Sequence, residues 1–166
     1  MNTALLSLGT NQGNKVENLN NALQKINKIG QITHVSSVYQ TPPWGFKSED
    51  FYNIALSVNT TLLAKDLIDE LLKIEQELGR VRNHQTTGYT ARPLDIDIIF
   101  FNDEIIQTKK LEIPHPRMQD RRFVLIPLLE IAPNHYHPTL KTSLSQLLEN
   151  CKDDSTIVKT NQTLIF

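Results

Sequence analysis

Cysteine is almost missing from this sequence, which contains only Cys151. A single thiol excludes an internal disulfide and any metal site built from several cysteines. Charge of one sign is not in excess either, because 17 Lys and Arg stand against 18 Asp and Glu, for a formal net charge of −1. A balanced charge creates no overall field that favours nucleic acid or an anionic membrane. We therefore expect neither as a partner.

Long apolar runs are missing as well. The opening "MNTALLSLGTNQGN" has no basic start, and Gly9 and Asn11 interrupt its apolar residues. Such a segment is neither a signal peptide nor a membrane span, so we expect a cytoplasmic protein. The chain also has no internal repeat, low-complexity tract or linker. It is predicted to fold as one domain over residues 1–166, long enough to bury about two-thirds of the surface of its unfolded form.

The arginines are unevenly placed along the chain. All six lie between positions 80 and 122, whereas nine of the eleven lysines lie outside that window. Arginine presents a planar set of donors that matches phosphate and carboxylate groups in a bidentate manner. The clustering therefore favours a site for an anionic ligand in this part of the chain.

Hydrophobic periodicity predicts two successive β-α-β units. Strands are expected at 3–8, 31–40, 51–59 and 92–100, and helices at about 16–28 and 64–78. Two prolines and a glycine make 41–50 an irregular loop, and 80–91 is a polar loop. This order favours an α+β, ferredoxin-like antiparallel or mixed sheet with helices on one face over a doubly wound parallel sheet.

Elements beyond Phe101 are less regular. A short helix or turn is expected around 119–130, a late helix at 143–150, and an edge hairpin in the tail "STIVKTNQTLIF". His135 and His137, in "NHYHP", lack zinc-ligand spacing and are expected in a surface loop. The loop "GTNQGN" matches no phosphate-binding glycine motif and is interpreted as a structural turn.

The stretch "RPLDIDIIF", residues 92–100, places two acidic residues in an apolar strand. Side chains alternate along a strand, so Asp95 and Asp97 point to the same face, with their Cα atoms about 7 Å apart. The alternation predicts two faces: Leu94, Ile96, Ile98 and Phe100 on one, and Asp95, Asp97, Ile99 and Phe101 on the other.

Two carboxylates at this separation repel each other by about 2 to 3 kcal/mol at an effective dielectric constant of about 20. Water, arginine partners or hard cations can offset that repulsion. Magnesium is often held by one or two carboxylates together with substrate phosphates. Because the arginines lie in the same part of the chain, a site for metal and a nucleotide triphosphate is favoured over a solvated strand end.

Trp44, the only tryptophan, lies in the Pro-Gly loop. A flat cyclic ligand would explain it, with Phe51, Asn53 and Phe123 completing a slot, and a hydrophobic plug that anchors the loop explains it equally well. His115, within "PHPRM", is either a phosphate donor or a residue that stabilises a turn. Both pairs of interpretations remain open from the residues alone.

Several segments of this chain form a set: "LGTNQGN", "VYQTPPWG", "FYN", "GRVR", "ARPLDIDII" and "PHPRM" followed by "RRFVLIPLLEIAP". In their order, and nearly in their spacing, they resemble the 6-hydroxymethyl-7,8-dihydropterin pyrophosphokinase family of folate biosynthesis. The resemblance runs from about residue 3 to 133. It implies an α+β, ferredoxin-like monomer that transfers diphosphate from ATP to the hydroxymethyl group of the pterin and releases AMP.

The resemblance also implies roles for individual residues. Asp95 and Asp97 match the two aspartates that hold two Mg²⁺ ions. Arg82 and Arg92 match catalytic arginines on a mobile loop that closes over the phosphates of ATP, and His115 and Arg121 match phosphate contacts. Pterin recognition falls to Thr41, Pro42, Trp44, Phe51, Asn53 and Phe123, and adenine lies near Leu71, Ile98, Lys110 and Leu111.

This sequence departs from the family pattern at a few positions. Thr90 and Ala91 stand where glycine and proline usually precede the core arginine, and Trp44 stands where leucine is common. Glu112 and Pro116 replace neutral or aromatic side chains near the nucleotide. These changes are expected to affect affinity and loop motion more than chemistry.

Two other functional classes remain as alternatives. A metal-dependent nucleotidyltransferase also uses paired acids and magnesium, but it would release pyrophosphate instead of AMP. A non-catalytic ferredoxin-like module that binds a small anion is permitted by the fold, although it gives no reason for paired aspartates beside clustered arginines.

Overall fold

The computed structural model describes residues 1–42, 49–79 and 93–166. In those ranges the chain forms one six-stranded sheet, two small two-stranded sheets, four α-helices and a 3₁₀ turn at Met118–Asp120. The strands are β1 (Asn2–Thr10), β2 (Gln31–Val35), β3 (Tyr39–Thr41), β4 (Phe51–Thr60), β5 (Asp95–Phe101), β6 (Ile106–Gln107), β7 (Glu112–Ile113), β8 (Tyr136–His137), β9 (Thr142–Ser143) and β10 (Val158–Lys159). The helices are α1 (Lys15–Ile26), α2 (Ala64–Gly79), α3 (Arg122–Ile131) and α4 (Leu144–Asn150). None of these helices combines the length and apolar character needed to cross a membrane.

The main sheet is antiparallel throughout and has the order β10-β3-β4-β1-β5. β2 pairs with β4 along the same edge as β3 but farther along β4. The single strand predicted over 31–40 is therefore two strands. Ser36 interrupts it, because its hydroxyl accepts a hydrogen bond from the Ala55 N–H at 2.9 Å while its own N–H donates to the Ala55 carbonyl. A side-chain oxygen thus replaces a backbone partner between β2 and β3.

Both faces of the main sheet are covered by helices. α1 and α2 pack on one face, against residues that include Leu6 and Leu8 of β1. α3 and α4 pack on the other, against Leu5, Ala55 and neighbouring apolar residues. α1 and α2 share one face, as expected. α3 and α4 cover the other face, so the expectation that all helices lie on one face is wrong. The second face is apolar where Leu5 and Ala55 lie, and this allows the helices to pack there.

A β-bulge in β5 changes the predicted alternation. Leu6 pairs with Ile98 and Leu5 pairs with Phe100, so Ile99 is an extra residue. One extra residue reverses the side-chain order that follows it. Phe100 therefore packs under α3 and α4, while Phe101 joins the core under α1 and α2. The faces predicted for these two phenylalanines were wrong, whereas those of Leu94, Ile96 and Ile98 are confirmed.

His137 is buried, contrary to the surface-loop expectation. The residue is 4% exposed, and its Nδ1 accepts hydrogen bonds from the Thr139 and Leu140 N–H groups at 3.2 and 2.9 Å. His135 is half-buried, and its ring centroid lies 4.2 Å from that of Phe100. The two histidines pack on the aromatic ring that the β-bulge places on this face.

The C-terminal tail contributes one edge strand, and the predicted hairpin was wrong. β10 pairs with β3 instead of with another part of the tail. Leu164 then packs against the core under α1 and α2, and the Ile165 N–H donates to the Asn20 side-chain oxygen at 2.8 Å. The tail thus passes from the α4 side, around the β3 edge, to α1.

Candidate functional site

A cleft of about 290 Å³ opens where β1 ends and where β4 and β5 begin. Its lining residues are Ser7, Gly9, Thr41, Pro42, Phe51, Asn53, Asp95, Asp97, Arg121 and Phe123. Eight of these were predicted as site residues, and Ser7 and Gly9 were not. The fold therefore brings together the predicted pterin residues of the described chain, both aspartates and Arg121, for which the resemblance implies a phosphate contact.

The floor of the cleft follows from strand register. Gly9 of β1 pairs with Asn53 on one side and Asp95 on the other, and Ser7 pairs with Ala55 and Asp97. Because β1 lies between β4 and β5, the amide and the acidic pair are two strand spacings apart, about 10 Å. A ligand that contacts both must span the small residues of β1.

Asp95 and Asp97 are each partly exposed at the start of β5. Among the described residues, no group of three His, Cys, Asp or Glu side chains is placed to hold a metal ion. Two carboxylates can nevertheless hold Mg²⁺ when substrate phosphates complete its oxygen ligands. The donor set therefore fits magnesium that binds together with a phosphate-bearing substrate.

Asn53 is held in the cleft by a hydrogen bond on one side of its amide and has room on the other side because residue 9 is a glycine. The residue is 3% exposed, and its Nδ2 donates to the Thr41 Oγ1 at 2.8 Å. On the other side of the amide, a β-carbon at position 9 would lie only 2.8 Å from the Asn53 Oδ1. Gly9 therefore provides the space in which this oxygen lies. The sequence signal that was missed is the pair of small residues at alternate positions in "LLSLG".

Phe51 and Phe123 supply aromatic surfaces to the cleft. Arg121, which also lines it, holds its guanidinium 5.8 Å from the centre of the Phe123 ring, within the range of a cation–π contact. Arg121 directly precedes α3 and Phe123 belongs to its first turn. One helix start therefore positions both a cation and an aromatic ring.

His115 lies beside the acidic pair but does not line the cleft. Its Nδ1 accepts a hydrogen bond from the Arg117 N–H at 3.2 Å, so it stabilises a turn. Partial burial lowers the pKa of His115, the charge of Asp97 opposes that shift, and the charge of Arg121 adds to it. The predicted contact of His115 with phosphate stays a prediction.

A contact to β5 that the sequence did not reveal comes from α2. The Ile96 N–H, between the two aspartates, donates to a carboxylate oxygen of Glu75 at 2.6 Å. In the described part of the main sheet, β5 is an edge strand that pairs only with β1. Glu75 therefore takes the place of a further strand at the position of the acidic pair.

The predicted adenine residues lie away from this cleft. Leu71 and Ile98 are buried in the core under α1 and α2. Lys110 and Leu111 line a separate cavity of about 340 Å³, together with Ile68 and other residues, and Lys110 forms an exposed ion pair with Asp69. Trp44, Arg82 and Arg92, with Thr90 and Ala91, lie outside the described residues.

Comparisons with known proteins identify the family to which the chain is similar. The family model described as "7,8-dihydro-6-hydroxymethylpterin-pyrophosphokinase (HPPK)" matches residues 5–133. The 2-amino-4-hydroxy-6-hydroxymethyldihydropteridine pyrophosphokinase of Aquifex aeolicus is 37% identical over 147 residues, 88% of this chain and 90% of the relative. The enzyme of the same name from Haemophilus influenzae is 37% identical over 161 residues, 95% of this chain and 98% of the relative.

Other similar proteins are longer than this chain. The folic acid synthesis protein FOL1 of Dictyostelium discoideum is 40% identical over 94% of this chain, which spans 23% of that protein. The crystal structure of wild-type Plasmodium falciparum HPPK-DHPS aligns with a TM-score of 0.72 at 19% identity, over 90% of this chain and 44% of that one, and shows similarity of fold. The family model matches most of this chain, and two relatives of similar length are 37% identical to it. This chain therefore belongs to the 7,8-dihydro-6-hydroxymethylpterin-pyrophosphokinase family.

Proposed function

We propose that this chain transfers a diphosphate group from ATP to the hydroxymethyl group of 6-hydroxymethyl-7,8-dihydropterin and releases AMP, in folate biosynthesis. The family's name describes this activity. The observation that carries the proposal is the single cleft in which an amide and two aromatic rings face a pair of aspartates and an arginine across β1.

The pterin binds at the β4 side of the cleft in this proposal. A flat ring fits between Phe51 and Phe123, which line the cleft, and buried Asn53 offers its Oδ1 and its second N–H to the ring's donors and acceptors. Thr41 holds the amide, and Pro42 adds an apolar surface. Trp44 would complete this half of the site.

The triphosphate of ATP binds at the β5 side. Asp95 and Asp97 would hold two Mg²⁺ ions together with its phosphate oxygens. When bound, these ions supply charge screening for the approach of the pterin hydroxyl and for the departure of AMP. The two carboxylates, presented on one strand face by the alternation of β5, set where the diphosphate lies relative to the pterin.

Cationic side chains complete the nucleotide site. Arg121 lines the cleft and would bind phosphate oxygens, with His115 beside it. Arg82 and Arg92 would act on the transferring diphosphate, since guanidinium groups stabilise its charge in the transition state. The adenine would lie near Leu71, Ile98, Lys110 and Leu111, where the separate cavity at Lys110 and Leu111 offers an apolar surface.

We also propose that the chain has a ferredoxin-like core and acts as a cytoplasmic monomer. The order β5-β1-β4 with β2 and β3 beyond it, and α1 and α2 on one face, supports a ferredoxin-like βαββαβ core. Covered sheet faces and the β10–β3 pairing support a single-domain monomer. The lone cysteine and the use of ATP support a cytoplasmic location.

Identification of the small product tests the proposed activity. Purified protein is incubated with ATP, magnesium and the hydroxymethyl dihydropterin, and the products are separated by chromatography and identified by phosphorus NMR. AMP and a pterin diphosphate are expected, and neither forms when the pterin is omitted. Release of pyrophosphate would indicate a nucleotidyltransferase, and ATP binding without turnover would indicate a non-catalytic module.

A further inference from the structure

We propose that Asp153, in the C-terminal tail, is a positioning residue for the cleft, because it caps α3 and holds Arg121 and Phe123 in place. The inference deepens the proposed function, on which its kinetic readout rests. It assigns a role in the reaction to a part of the chain that contributes no residue to the cleft itself.

The start of α3 lacks its usual cap. The first N–H groups of a helix have no partner within the helix, and a Ser, Thr, Asp or Asn just before it commonly accepts from them. Arg121 occupies that position, makes no side-chain hydrogen bond to the helix, and has no acceptor atom to offer. Asp153 supplies the acceptor, because its Oδ2 receives the Arg122 N–H at 3.0 Å.

The capping carboxylate is itself held in place. The other oxygen of Asp153 accepts from the Ser155 N–H at 3.0 Å and from the Ser155 hydroxyl at 2.6 Å. Burial alone would raise the pKa of Asp153, but the hydrogen bonds from Ser155 and the N–H and charge of Arg122 outweigh it and lower the pKa. An ionised carboxylate at this place also interacts favourably with the N-terminus of a helix.

The capped residue lies between two cleft residues. Arg121 and Phe123 flank Arg122 in the chain, and both line the cleft. The Arg121 carbonyl accepts from the Val124 and Leu125 N–H groups at 3.0 and 3.1 Å, so Arg121 moves with the first turn of α3. If this turn frays, the guanidinium and the ring lose their positions together.

The same tail also supports the opposite wall. Beyond Ser155, β10 pairs with β3, and the Thr160 N–H and hydroxyl both donate to the Val38 carbonyl at 2.9 Å. β3 ends at Thr41, which binds Asn53 in the cleft. The tail therefore contacts the elements that carry both walls, with Asp153 as its anchor on the α3 side.

The experiment compares four variants with the wild type. Asp153→Ala removes the acceptor, Asp153→Asn keeps one, and Asp154→Ala removes the neighbouring exposed carboxylate as a matched control. Backbone amide NMR, the Arg121 Nε–H signal and hydrogen exchange report on the first turn of α3 without any ligand. Steady-state kinetics and pterin binding are measured well below the unfolding temperature. A fourth variant, Ile26→Val, lowers stability in the core on the other face and controls for destabilisation alone.

We expect Asp153→Ala to speed exchange in the first turn of α3, to shift the Arg121 and Phe123 signals, and to lower kcat/KM by at least about fivefold. Asp153→Asn should restore most of the protection from exchange and most of kcat/KM. Asp154→Ala and Ile26→Val should match the wild type in the Arg121 and Phe123 signals and in kcat/KM. Unchanged Arg121 and Phe123 signals, or unchanged kcat/KM in a protein with faster exchange, would overturn the inference. If the wild type released no AMP, the proposed function would fail, while the NMR comparison would still decide the role of Asp153.

Discussion

The side-chain oxygen of Asn53 lies 2.8 Å from the place that a β-carbon at Gly9 would occupy. Nonbonded carbon and oxygen atoms rarely come this close together. A side chain at position 9 must therefore displace the amide. The displaced amide would lose its 2.8 Å hydrogen bond to Thr41 or its orientation in the cleft. A residue without a side chain on β1 therefore sets the position of a polar group on β4.

Gly9→Ala should raise KM for the pterin by about tenfold or more, because the displaced Asn53 amide no longer makes its hydrogen bonds to the pterin ring. KM for ATP should change much less, since the conflict lies on the β4 side of the cleft. Steady-state kinetics with each substrate varied in turn measures the difference. In an Asn53→Ala background, the same substitution should add little, because the oxygen it meets is gone.

Gly30→Ala is the matched control for this prediction. A β-carbon at Gly30 would also make a 2.7 Å contact, but with Val58, away from the cleft. It should lower the unfolding temperature and leave KM for the pterin unchanged in the folded protein. Additive effects of Gly9→Ala and Asn53→Ala would show that the glycine acts through another contact.

Asp97→Asn should lower kcat by about a thousandfold or more, because one of the two proposed metal-binding carboxylates is lost. The fold should survive, since Asp97 is partly exposed on the cleft face and outside both cores. Turnover at saturating magnesium and ATP, with circular dichroism as a check on folding, measures both. Asp103→Asn, at an exposed carboxylate outside the cleft lining, is the control, and near-normal turnover by Asp97→Asn would contradict the metal assignment.

Arg82→Ala should lower kcat far more than it weakens ATP binding. The proposed role of this guanidinium is concentrated in the transition state, and such contacts affect turnover more than ground-state binding. Single-turnover rates and calorimetric ATP affinity, compared with Arg117→Ala at an exposed arginine, separate the two effects. Equal losses in rate and affinity would assign Arg82 to nucleotide binding instead.

The acidic pair could be predicted from sequence because it depends only on local alternation. Asp95 and Asp97 share a face of β5 for the reason that any residues i and i+2 of a strand do. Phe100 and Phe101 were assigned to the wrong faces because the bulge at Ile99 arises from pairing with β1, almost a hundred residues away along the chain. Periodicity within one segment does not contain that information.

The same limit explains the contacts in and around the cleft that sequence reasoning missed. Gly9 matters because of an amide at position 53, Glu75 because of a backbone N–H at position 96, and Asp153 because of one at position 122. Each contact joins elements that are distant in the chain and adjacent only in the fold. The residue types themselves, a glycine in a strand and carboxylates on a helix or in a tail, have ordinary structural explanations.

Acidification should destabilise the protein through His137. Its Nδ1 accepts two backbone N–H groups, so the ring must be unprotonated on that atom. Burial lowers the pKa of His137, the charge of His135 lowers it further, and a backbone hydrogen bond partly opposes both. Below the ordinary histidine pKa of about 6.5, the unfolded chain therefore binds more protons than the folded one, and the free energy of unfolding falls as pH falls.

Urea unfolding between pH 8 and pH 5 measures this slope, which should be absent above about pH 7.5 and should steepen below about pH 6.5. His137→Gln should be less stable than the wild type at pH 8 but should lose less stability on acidification. The slope should not vanish, because burial also lowers the pKa of His135 and of His115. His34→Gln, at an exposed histidine of β2, should retain the wild-type slope. If His137→Gln also retained the wild-type slope, protonation of His137 would not be the cause of the acid destabilisation.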